Sequence, residues 1–133
     1  MSSVKVKAAL ETALNAMSPA LLTAWENAQF QPVAGTPYQQ VNVLFAPPEN
    51  VEYGRRYREV GYMRVMLMYP LGNGLADAMA RAELIRASFY RGASFVKDTV
   101  TVIIERTPEI STGSVDGDRW AIPVKIRFFA NVD

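Results

Sequence analysis

Apolar residues recur along this chain with two different periods, and the changes between them mark the elements. From Val4 to Met17 the apolar positions Val6, Leu10, Ala13, Leu14 and Met17 fall at helical spacing, with Lys5, Lys7, Glu11 and Asn15 off that stripe and Ser2 or Ser3 available as the cap. This predicts an amphipathic helix. Ser18-Pro19 stops it, because proline disfavours helix at the residue before it, and the same pair could also cap a further short turn. Leu21 to Glu26 then reads as a short strand. Between Phe30 and Pro37, the residues Pro32, Gly35 and Pro37 deny regular hydrogen bonding. Tyr38 to Phe45 alternates Gln40 and Asn42 against Val41, Val43 and Phe45, the pattern of a half-buried strand. Met63 to Tyr69 is apolar on both faces, which predicts a central, covered strand.

Helical spacing returns from Leu75 to Arg91. Asn73 is placed to cap, Asp77 lies early, Arg86 and Arg91 late and Gly92 just beyond, in keeping with the helix dipole and the C-terminal glycine preference. Its stripe is Leu75, Ala78 or Met79, Ala82, Ile85 and Phe89, with Asp77 and Arg81 as an i,i+4 pair on the wet side. Val100 to Glu105 and Arg119 to Phe129 alternate with period two and predict an antiparallel pair; Asp116-Gly117 supplies a turn in the polar connection between them. Pro123 cannot donate to a ladder, so this last strand is expected at an edge or paired on one side only. The elements together predict an α+β fold: a mixed or antiparallel sheet of about four to five strands with two helices packed on it, in a single domain spanning residues 1–133.

Composition narrows the chemistry. The chain has no His and no Cys, which removes disulfides, thiolate nucleophiles, the usual zinc ligands and the commonest general base near neutral pH. Fourteen basic against thirteen acidic residues give a net charge of +1, so no whole-molecule field recruits nucleic acid or an anionic membrane. The longest apolar runs, Val65 to Tyr69 and Val100 to Ile104, are far short of the ~20 residues of a membrane span, and no signal-peptide apolar region follows Met1, so a cytoplasmic protein is expected.

Gly72-Asn73-Gly74 lacks both the Rossmann spacing and the Walker lysine and reads as a turn and cap. Asp116-Gly117-Asp118 lacks the remaining positions of a calcium loop. Glu105 and Glu109 read as solvated carboxylates, and Trp25 and Trp120 as core anchors. No catalytic residue, metal site or cofactor is predicted. The segment Ala46 to Glu59 departs from fold maintenance, because it is long for a connection and carries Tyr53, Arg55, Arg56, Tyr57 and Arg58 within six residues. Tyr and Arg are enriched at protein interfaces, and Arg-rich loops also meet phosphates. A protein interface, a solvated hairpin tip and a nucleic-acid contact all remain open for it.

The N-terminal helix, Trp25-Glu26-Asn27 with Phe30 and Pro32, Pro37-Tyr38, the strand ending at Tyr69-Pro70, the Gly-Asn-Gly helix start, Phe89 and Pro123-Val124 together resemble the tail terminator, or tail completion, proteins of long-tailed bacteriophages and their prophage-encoded relatives. The resemblance implies a non-catalytic structural virion protein in the tail, assembled in the host bacterial cytoplasm. It implies self-association into a ring, typically hexameric, that caps the tail tube and joins it to the head-side connector. The tail tube protein and the head-tail connector protein are then its partners, with no membrane and no nucleic acid except DNA passing through the ring. Another head-tail connector or tail tube component, or a small ligand-binding module, are the competing readings.

Overall fold

A computed structural model of the protein describes residues 2–17, 22–26, 30–31, 35–50, 57–72 and 76–132. Ser18-Pro19, Asn73, Leu75, and Tyr53, Arg55 and Arg56 of the Arg-rich segment lie outside these residues. The fold is α+β, as the two periodicities require. The first helix, α1, spans Ser2–Asn15, so Ser2 and Ser3 are already helical. The strands β1 (Leu22–Ala24), β2 (Tyr38–Phe45) and β3 (Tyr57–Pro70) follow, then the second helix, α2 (Ala76–Ser88). The chain ends with β4 (Ser94–Lys97), β5 (Val100–Ile104), β6 (Glu109–Ile110), β7 (Ser114–Asp116) and β8 (Arg119–Val132).

All the strands join one mixed sheet in the order β1-β2-β3-β8-β5-β4, with β6 and β7 also paired to β8. The eight strands among the described residues exceed the four or five expected. The additions β4, β6 and β7 have only two to four residues each, too short for alternation to be read. The frame is the antiparallel pair of β3 and β8, in register from Tyr57↔Val132 to Pro70↔Arg119. On its other side β8 pairs in turn with β7, β6 and β5.

Pro123 therefore sits mid-sheet and not at an edge. Its carbonyl accepts from Ser111 N at 3.0 Å, so its missing N–H points into the interval between β6 and β7, where the neighbouring ladder is already interrupted. The proline removes no bond to β3, because N–H and C=O of one residue in an antiparallel strand face the same side.

One face of the sheet holds the core. Val41 and Val43, Met63, Val65 and Leu67, Val102 and Ile104, and Ile122, Val124, Ile126 and Phe128 line it, and Val6, Leu10 and Leu14 of α1 with Ala78, Ala82 and Ile85 of α2 cover it. Trp25 and Trp120 are half-buried and pack against this cluster as anchors. The buried stripe of α2 includes Arg81, only 6% exposed, which corrects its placement on the wet side. Position 81 is i+3 from Ala78 and i−4 from Ile85, so helix geometry sets it on the covered face. Burial lowers the Arg81 pKa from its ordinary value, partly offset by Tyr69. Helix α2 also stops at Ser88, and Gly92 (φ 89°) serves the turn in which Ala93 N donates to Tyr90 O. No helix is long and apolar enough to cross a membrane among the described residues.

Candidate docking groove

The opposite face of the sheet carries no helix among the described residues, and its two ends differ. At one end Phe30, which precedes β2, lies over it. Phe30 packs on Tyr38 with ring centroids 5.0 Å apart, against the small cluster that Tyr38 forms with Met68 and Ala121. Arg119, 4% exposed, holds Thr36 and Tyr38: its guanidinium stacks over Tyr38 at 4.9 Å and donates to the Thr36 carbonyl. Glu26 plays a part that spacing does not reveal. Its carboxylate accepts from Val43 N at 2.6 Å, satisfying a donor of β2 past the end of β1, and lies 3.5 Å from Lys7 of α1. Glu26, Phe30, Thr36 and Tyr38 are thus each tied to the sheet.

At the other end the face is open, and a groove of about 620 Å³ lies between Ala46, Glu49, Arg58, Val60, Tyr62, Glu105, Arg127 and Phe129. Gly61 makes it possible: a Cβ there would meet Leu44 O at 2.2 Å and Phe45 Cα at 3.1 Å, so only glycine lets β2 approach β3 this closely. Phe45 then meets Phe128 edge-on, centroids 5.9 Å apart. Past the ladder the two chains continue together, with Ala46 N donating to Val60 O and Glu49 and Arg58 exchanging both backbone hydrogen bonds. The expected loop of Ala46 to Glu59 therefore narrows, because Tyr57, Arg58 and Glu59 belong to β3.

Of the five predicted site residues, two are placed. Tyr57 and Arg58 both lie in β3, and Arg58 lines the groove. The Arg58 guanidinium stacks over Phe129 at 4.7 Å, and its Nε donates to Asn131 Oδ1 at 3.1 Å. Both contacts lie within the chain itself. Arg127 lies 3.9 Å from Glu109, and Lys125 sits over the Tyr62 ring at 4.2 Å. The sequence reading missed Arg127, Glu105 and Tyr62 as groove residues. Only the cross-strand register, which sets Tyr62 opposite Arg127, assembles them.

Two arginines, two glutamates and two aromatic rings on one open face form a surface of mixed charge with apolar patches. That composition suits a protein partner better than a polyanion, since carboxylates beside the arginines repel phosphate. No group of three or more His, Cys, Asp or Glu that could hold a metal occurs among the described residues. Asp116 ends β7, and Gly117-Asp118 closes the two-residue turn into β8.

Comparison with known proteins agrees with the architecture. One solved structure, whose name carries no functional description, matches 100% of this chain and 98% of its own with 23% identity and a TM-score of 0.79, which establishes a shared fold. No curated protein matches in sequence. The family model described as phage tail terminator protein matches residues 5–128, nearly the whole chain. The chain belongs to the phage tail terminator family, and its role is that of a structural component of the phage tail that contacts other tail components.

Proposed function

We propose that this chain forms a ring, of six copies, that caps the tail tube and joins it to the head-side connector. The observation that carries this reading is the family match over residues 5–128. The single α+β domain acts without catalysis: it is made in the host bacterial cytoplasm and is incorporated at the head-proximal end of the tail, where DNA passes through the ring. The open groove is the contact surface in this reading, with Arg58 and Arg127 meeting carboxylates or carbonyls of a neighbour and Glu49 and Glu105 meeting its cations. Tyr53, Arg55 and Arg56, which precede β3 in the sequence, are further contact residues in this reading.

The test is Arg127→Glu. Arg127 is exposed and its pairing with Glu109 spans 3.9 Å at the surface, so the free protein should keep its melting temperature within the effect of about 0.5 kcal/mol. Tube capping, read by sedimentation of tubes incubated with the variant, should weaken more than tenfold, because a reversed charge at a desolvated contact is left unpaired. Undiminished capping would remove the groove from the contact.

A further inference from the structure

The hairpin of β7 and β8 ends in a projecting acidic tip. Asp116 faces Arg119 across the turn Gly117-Asp118, and Gly117 (φ 60°) takes the first turn position, where a two-residue hairpin favours glycine. Every residue from Ser114 to Asp118 is exposed, Val115 at 61%. The Asp118 side chain is 83% exposed and lies 3.9 Å from Arg119 Nε, while the Asp116 carboxylate has no ion-pair or hydrogen-bond partner among the described residues.

A hollow of about 580 Å³ lies where β8 changes partner from β6 to β5, lined by Arg91, Glu105, Arg106, Thr107 and Glu109. Its walls are held in place. Gly92 N donates to Ile104 O at 2.8 Å beside Arg91, Glu105 N to Arg127 O at 3.0 Å, and Arg86 Nε to the Pro108 carbonyl at 3.2 Å. Glu109 is offset by Arg127, 3.9 Å away. Arg91 and Arg106 are exposed, and neither guanidinium has an ion pair or hydrogen bond among the described residues. Two uncommitted cations against the one uncommitted carboxylate of Glu105 leave the hollow with a positive excess. A pair of carboxylates suits it, because the guanidinium fork binds carboxylate through two parallel hydrogen bonds.

The backbone bond from Glu105 sets the hollow at the level of Arg127. The tip begins at Arg119, about 26 Å away along β8, so no copy can seat its own tip in its own hollow. We infer that the Asp116-Gly117-Asp118 tip of one copy docks in the Arg91–Arg106 hollow of the next. The inference rests on the ring reading above, and the contact adjoins the groove, with which the hollow shares Glu105. Tip and hollow are different surfaces, so the contact is heterologous and can close into a ring, whereas two tips meeting about a twofold axis would oppose like charges. Backbone hydrogen bonds hold both partners beforehand, so docking requires little further ordering.

Charge reversal on each side tests the docking. Asp116→Lys with Asp118→Lys makes the tip basic, and Arg91→Glu with Arg106→Glu makes the hollow acidic. All four side chains are exposed, so each free variant should melt within a few degrees of the wild type. On purified tubes each variant alone should form rings about tenfold less well or worse, since like charges then face each other. An equimolar mixture should form rings again, with the two variants alternating: the basic tip enters the acidic hollow, and the acidic tip the basic one. Separate tags should place both variants in the same ring. Rings formed normally by either variant alone, or no recovery in the mixture, would overturn the docking and leave the ring standing. Should a reversal prevent folding, the neutral Asp116→Asn with Asp118→Asn takes its place: ring formation should fall about threefold, and unchanged assembly would overturn the docking equally. Wild-type protein that forms no ring on tubes would overturn both proposals.

Discussion

Replacing Gly61 with alanine should loosen the end of the β2–β3 ladder and the groove beyond it. The new Cβ would lie 2.2 Å from Leu44 O and 3.1 Å from Phe45 Cα. Both are backbone atoms, so no side-chain rotation relieves the clash, and β2 must retreat by roughly 1 Å to restore ordinary contact. That retreat strains the Ala46 N to Val60 O bond, now 2.9 Å, at a cost of about 1 kcal/mol. It also withdraws Phe45 from Phe128, an edge-on contact contributing about 0.5–1.5 kcal/mol. Residual strain of overpacking adds to these, for a total of about 2–4 kcal/mol. In a chain of this size the melting temperature should fall by about 5–15 °C, read by circular dichroism on heating. A shift below about 2 °C would refute the close approach of β2 and β3, and with it the floor of the groove.

Trp120→Ala should cost about 3 kcal/mol in chemical denaturation, since the half-buried indole packs on the core and against Gly113; a loss below about 1 kcal/mol would contradict its anchoring role. Arg58→Gln should lower stability by about 1 kcal/mol through loss of the stacking on Phe129, and an unchanged unfolding midpoint would show that this stacking does not hold in solution. The Glu11 carboxyl has its pKa raised, chiefly by burial and further by Glu26, with Lys7 opposing. A raised carboxyl favours the fold when protonated, so that stability is present below the unfolded carboxylate pKa and is lost as pH rises through the folded one. Glu11→Gln should therefore melt at or above the wild type at pH 7, with the difference vanishing as pH falls through the carboxylate range; a variant that is less stable at neutral pH would reverse the sign.

The two long helices and the strands Tyr38–Phe45 and Val100–Ile104 are legible because alternation or helical spacing is sustained over enough residues to be read. The sequence signal fails where long-range register decides. Tyr57 to Glu59 reads as the end of a charged loop, yet these residues pair with Ala130 to Val132 at the far end of the chain. Pro123 reads as an edge marker, yet the break between two short strands absorbs its missing donor. Arg81 reads as a surface charge because of its chemistry, although the i+3 and i+4 neighbours place it on the covered stripe. Of the groove, the density of arginine and tyrosine in the sequence points only to Arg58. Arg127 and Glu105 become groove residues only when β3, β8 and the end of β5 lie side by side, with Glu105 N donating to Arg127 O at 3.0 Å.

The central claim, that the chain caps the tail tube, is tested most directly by locating it on purified phage particles. An affinity tag at the C-terminus, labelled with gold and imaged by electron microscopy, should mark a single position at the head-proximal end of each tail, and particles lacking the chain should show tubes without that cap. Label distributed along the whole tube, or absent from particles that are otherwise complete, would contradict the account.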